Sequence, residues 1–206
     1  MWNWLVRDWQ WPAAALFTAV FLLVLTPLVF HLAGLGLALL FVQLPIYMIH
    51  QWEEHRQDRF RLYINRTIGG GKEALTPSAT FWINSLGVWC VDIVALYLAW
   101  AIAPWAGLAA GYLAVVNAIP HVAMSVRSRE YNPGVITATL LFLPIGGWCI
   151  AEIGSQSSWE ANAVALLIAV GVHIAIVVHV TRRLARLQRN APLAPNLNSV
   201  HGLSHK

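Results

Sequence analysis

Apolar residues in this chain neither alternate nor keep to one helical face; they run in blocks. Six blocks, Ala13–Phe30, His31–His50, Thr80–Ala103, Trp105–Val126, Gly134–Ile153 and Ala161–Thr181, approach the ~20 residues that cross a ~30 Å hydrocarbon core as a helix. Backbone groups in lipid must find partners within their own segment, so each block predicts a helix. The first two are joined by a very tight turn, and Pro104 punctuates the third and fourth. Polar stretches occupy 51–79 and 127–133. The expected fold is all-α: a polytopic membrane bundle of six transmembrane helices over residues 1–183. A basic segment, 184–206, rich in Pro and Asn toward its end, is expected to be a disordered tail.

Composition agrees with that pattern. The chain is 58% hydrophobic and 11% charged, with mean hydropathy +0.61, whereas soluble domains carry about 25% charged residues. Charge adds orientation. With six spans, all 13 Lys and Arg residues fall on one side, beginning with Arg7 and ending with Lys206. The positive-inside rule then makes both termini cytoplasmic, in the plasma (inner) membrane. The net charge of +4 needs no nucleic-acid partner. The N-terminal MWNWLVRDWQW lacks a signal-peptide cleavage pattern and suits an interfacial segment, since indoles favour the headgroup level. Cys90 and Cys149 sit in different spans without metal-ligand spacing and are expected to pack. GLAAG, at 107–111, is expected to be a helix-packing seam, and IGGGKE lacks the frame of a phosphate loop.

The topology also assigns a depth to each polar residue. His50, Glu53 and Glu54 end the second span, Asn117 and His121 the fourth, and His179 lies near the exit of the sixth with His173 about two turns deeper. Asn84 begins the third span and Asp92 lies near its middle. Tyr131, Asn132, Thr137 and Thr139 stand at the entry of the fifth. Five helices thus send polar groups to one layer. His50, Glu53 and Glu54 share a helix face with Cβ atoms ~5–6 Å apart, while His55 is expected to turn toward the loop. His179 has the better depth for the site, and only one of His173 and His179 can face it. Adjacent carboxylates at low dielectric repel unless a cation joins them. Nitrogen and oxygen donors suit Fe, Zn or Mn, as one ion or two. The expected metal ligands are His50, Glu53, Glu54, His121 and His179, with Glu53 and Glu54 as catalytic carboxylates. Asn117, Asp92, Tyr131 and Thr137 are expected to support them. A plainer alternative has the glutamates pairing with Arg56, Arg59 or Arg61 in a solvated cap.

His50-Gln51-Trp52-Glu53-Glu54, then Asn117 and His121, then Tyr131, Pro133, Gly134 and Thr137, resemble the pattern of the HXXEE-domain family of small integral membrane proteins. The resemblance covers the second to fifth spans and implies the same site without naming a reaction. The expected function is a membrane metalloenzyme acting by metal-assisted oxidation or hydrolysis on a hydrophobic or amphipathic, lipid-like substrate. Two alternatives stay open. One is a metal-free glutamate-type intramembrane hydrolase, for which the arginine expected four places after the second glutamate is Asp58. The other is a non-enzymatic transporter or binding protein for metal, protons or lipid.

Overall fold

The computed structural model describes residues 1–190. Every regular element among them is helical: α1 (Trp11–His55), α2 (Arg59–Thr67), α3 (Pro77–Ala101), α4 (Pro104–Ser128), α5 (Val135–Gly154) and α6 (Trp159–Arg189). Five helical stretches among the described residues are long and apolar enough to cross a membrane, and the first, Trp11–Thr67, covers the first two expected spans as one near-continuous stretch.

That first stretch is not straight. A straight helix of α1's length would separate its ends by about 66 Å at ~1.5 Å per residue, yet the rings of Trp11 and His55 lie 5.1 Å apart. Ala15 and Ala19 likewise pack against Met48. The reversal is at Gly34, whose φ of 80° and ψ of 179° break the helix. Only glycine adopts this region without strain. The turn therefore lies a few residues beyond the expected boundary before His31. Large side chains on the first arm, Phe17, Phe21 and Leu28, are exposed, as on a lipid-facing helix.

At the centre lies α4, packed against α1, α3, α5 and α6. Leu108, Ala110, Leu113, Ala114 and Ala118 have no exposed surface, and Ala110, Ala114 and Ala118, four residues apart, line one face of the helix with small side chains. Glycines let the neighbours approach. A Cβ on Gly107 would meet the Ala95 carbonyl oxygen at 2.7 Å and the Ala99 methyl at 2.8 Å, and one on Gly111 would meet Cys149 Sγ at 3.0 Å. The 107–111 seam is thus a packing contact between helices. Gly107→Ala is expected to cost about 1–3 kcal/mol through overpacking, read as a lowered unfolding temperature in detergent. Gly171→Ala on α6, where a Cβ meets nothing within 4 Å, is expected to leave it unchanged or raise it.

Of the segment expected as a tail, residues 184–189 continue α6, so the helix runs past the predicted end of the bundle. Residues 191–206, with His201 and His205, lie outside the described residues. Residues 51–79 also hold more structure than a loop. After His55 the chain passes through Gln57 and Asp58, both with positive φ, into α2, and Arg61 binds Asp58 and Glu73.

Candidate metal centre

The second arm of α1 delivers His50, Glu53 and Glu54 to the interior, at 0%, 7% and 5% exposure. The solvated cap is thereby excluded: neither carboxylate pairs with an arginine, and Arg59 reaches only the Glu53 backbone carbonyl, at 2.7 Å. The two glutamates have separate duties.

Glu53 faces the start of α5. Its Oε1 accepts from Tyr131 Oη at 2.8 Å and the Ile136 amide at 3.2 Å. Its Oε2 accepts from the Thr137 amide at 2.8 Å and Thr137 Oγ1 at 2.5 Å. The amides are first-turn donors that have no intrahelical acceptor, and a carboxylate there also meets the positive end of the helix dipole. Burial, then the hydrogen bond to Glu53, raises the Tyr131 phenol above its usual pKa. With both oxygens engaged, Glu53 is outside the metal group in which the sequence placed it.

Glu54 faces two imidazoles. His50 Nε2 lies 3.5 Å from its Oε2, and His121 Nε2, from the C-terminal half of α4, lies 3.0 Å from its Oε1. Ligand atoms of His50, Glu54 and His121 all fall within 4.8 Å of one another, and all three residues are buried. The imidazoles cross nearly at right angles, 85°, with centroids 4.9 Å apart.

Proton positions follow from the neighbours. Thr137 has one hydroxyl proton, and the Glu53 carboxylate can only accept. Thr137 therefore donates to Glu53 and accepts from His50 Nδ1 at 2.8 Å. His50 carries its proton on Nδ1 and turns the Nε2 lone pair toward Glu54. His121 Nδ1 likewise donates to Asn132 Oδ1 at 3.0 Å, which leaves its Nε2 facing Glu54. Three acceptors converge with no donor among them. One proton could bridge the His121–Glu54 edge, but His50 Nε2 would still lack a hydrogen-bond partner, as it does here. A divalent cation satisfies all three. Bonds of ~2.0–2.1 Å in a tetrahedron put ligand atoms about 3.3 Å apart, near the two imidazole–carboxylate separations, which reach different oxygens of Glu54; the three donors, within 4.8 Å of one another, would draw together on an ion. Imidazoles fixed through Nδ1 by a carboxylate-bound hydroxyl and an amide carbonyl are the usual outer support of such ligands.

Gly134 closes the group from above. Its φ is +100°, and a Cβ there would stand 2.8 Å from Glu54 Cγ, His121 Cε1 and His50 Cε1. Beside the group lies a mainly apolar cavity of about 230 Å³, lined in part by Glu54, His121, Phe60, Val88 and Leu113.

Other expected residues fall elsewhere. His179 is exposed, beside Arg182 and Arg186, so it is not brought to the group. His173, passed over on depth, lines the cavity, and its Nδ1–H donates to the Ala169 carbonyl at 2.8 Å. Asn117 lines that cavity too, beside Tyr47. Asp92 is 1% exposed with no partner for either oxygen among the described residues; no contact ties it to the three ligands. His55 was missed. It is buried, with Nε2 3.2 Å from Glu54 Oε2, and its ring stands between Trp11 and Phe60. The signal was local: the helix ends at His55, and the two positive-φ residues Gln57 and Asp58 redirect the chain.

No curated protein and no solved structure matches this chain. A family described as "Protein of unknown function with HXXEE motif" matches residues 41–149. That range is just over half the chain and spans the second arm of α1 through most of α5. His50, Glu53, Glu54, His121, Gly134 and Thr137 all fall within it, and the chain belongs to this HXXEE-motif family.

Proposed function

We propose that this chain is an integral membrane metalloenzyme in which His50, Glu54 and His121 hold one divalent transition metal, Fe, Zn or Mn. One observation carries the reading: three buried acceptors converge on a common centre, and His50 Nε2 has no proton donor to meet it. Such an ion supplies Lewis-acid activation of water for hydrolysis, or of dioxygen for oxidation if it is iron. The chain's own residues set the geometry. Thr137 and Asn132 fix the two imidazoles, Glu53 anchors Thr137, and Gly134 leaves room above the ligands. The apolar cavity beside Glu54 and His121 suits the hydrocarbon part of an amphipathic substrate. The one-sided distribution of basic residues supports a cytoplasmic position for this layer and for both termini.

The test is elemental analysis of detergent-purified protein. Wild type and His179→Ala are expected to carry about one ion per chain. Glu54→Ala and His121→Ala are expected to fall below about a tenth of that, since removing one of three protein ligands leaves a site too poor to retain metal through purification. Equal metal in all four proteins would overturn the reading.

A further inference from the structure

A second, larger concavity of about 710 Å³ lies on the other side of His55. Residues of the N-terminal segment, the end of α1, Arg61, Glu73 and Thr80 line it, and its character is opposite to that of the apolar cavity. Trp9, Trp11 and Trp52 contribute indoles, and Arg7, Arg56 and Arg61 contribute guanidinium groups. The charges are not equivalent. Asp58 and Glu73, which also line the bowl, are balanced by Arg61 together with Arg183. Arg7 and Arg56 have no carboxylate within ion-pair distance among the described residues, whose paired arginines are Arg61, Arg66 and Arg183. Arg56 lies over the Trp52 ring, 4.8 Å from its centroid, which holds a planar cation at the rim without cancelling its charge.

His55 and Thr80 line both spaces and form the partition between them. His55 is 6% exposed; its Nε2 stands 3.2 Å from Glu54 Oε2, and its Nδ1 has no hydrogen-bond partner among the described residues. A buried imidazole with one unmet nitrogen, set between a cationic bowl and an apolar chamber, lacks there a polar group that a ligand would bring. The chamber reaches Val177 and Thr181 of α6, both exposed on the bundle wall, so a chain could enter from the lipid side. The bowl lies among indoles of the kind that settle at headgroup depth.

The geometry points to an anionic phospholipid as the ligand, with its phosphate in the bowl against Arg7 and Arg56, its chain in the apolar cavity, and the junction between them beside His55 and Glu54. This deepens the functional reading by naming a substrate class and rests on that reading only for the chemistry, because headgroup binding does not need the metal. A phosphate accepts from guanidinium groups with the geometry those groups present, whereas a zwitterionic headgroup brings a cation that two unpaired arginines repel.

Binding to the purified full-length protein, followed by native mass spectrometry, tests this with phosphatidylglycerol and phosphatidylcholine of equal chain length. Wild type is expected to bind phosphatidylglycerol about tenfold tighter or more. Arg7→Gln/Arg56→Gln is expected to lose that preference, and Arg127→Gln/Arg129→Gln, which removes the same charge elsewhere, to keep it. Glycerol phosphate, the headgroup without chains, is expected to bind at least about tenfold more weakly than the lipid. Wild type stripped of metal with a chelator is expected to retain the preference, so failure of the metal reading would leave this result standing. Equal binding of the two lipids, equal loss in both double variants, loss on removing the metal with a chelator, or glycerol phosphate binding as tightly as lipid would each overturn the assignment.

Discussion

Gly134→Ala is expected to abolish metal retention while leaving every ligand side chain in the sequence. Two independent costs meet at this residue. Its φ of +100° lies in a region where a Cβ is strained, at about 1–3 kcal/mol. The added methyl would also stand 2.8 Å from carbon atoms of Glu54, His121 and His50 together, distances that side chains do not sustain. These three neighbours are not flexible tips. His50 is tied to Thr137 and His121 to Asn132 through Nδ1, so relief requires moving a ligand or the 132–137 segment. Displacing a ligand by even an ångström defeats a bond that must fall near 2.0–2.2 Å. The expected loss in metal affinity is at least about 100-fold, measured by competition with a chromophoric chelator, with helix content by circular dichroism near wild type. Unchanged affinity would mean that the ion is held away from Gly134.

Parts of this centre were legible because helical spacing and membrane depth are written locally. His50 and Glu54 are four residues apart, so they must share a face, and His121 follows from the level at which the fourth apolar run ends. Rotation is a different matter. His173 and His179 differ by roughly 240° around their helix, and depth favours the second while packing turns the first toward the cavity. Nothing within α6 alone states which side meets α4. The division of labour between Glu53 and Glu54 is equally non-local. Both have the right face, and the choice is made by the amides of Ile136 and Thr137, more than eighty positions away. His55 escaped for a third reason: ideal helical geometry ceases to apply where the helix ends, and the αL residues Gln57 and Asp58 redirect the chain. The reversal at Gly34 was blurred because the apolar run is unbroken there, so hydropathy carries no boundary and only the φ a glycine permits makes one.

Glu53→Gln, conservative in shape, is expected to be nearly as damaging as Glu53→Ala, although Glu53 touches no ion in the proposed site. The reason is the sign of its partners. All four groups around the carboxylate donate: two amides, the Tyr131 phenol and the Thr137 hydroxyl. An amide side chain offers one acceptor oxygen and two donor hydrogens. Whichever way the substituted side chain is oriented, its NH₂ must face either Tyr131 and Ile136 or Thr137, donor against donor. The first orientation leaves the Ile136 amide unmet, at about 1–3 kcal/mol where it is buried, makes the exposed Tyr131 hydroxyl turn to accept, and replaces the charge-assisted bond that holds Thr137 by a weaker neutral one. The second turns the Thr137 proton away from position 53, toward the Gly134 carbonyl 3.3 Å distant, and puts the new amide in competition with His50 for the Thr137 oxygen. His50 then loses the partner that fixes its tautomer, and outer supports of this kind are worth about 10–100-fold in metal affinity. Both variants are therefore expected to bind metal about 10–100-fold more weakly, and Thr137→Val to fall in the same range because it cuts the same link. Thr137→Ser, which keeps the hydroxyl, is expected to stay within about threefold of wild type. Metal titration of the four proteins decides it: a Glu53→Gln protein with wild-type affinity would show that the carboxylate supports α5 alone and has no hold on His50.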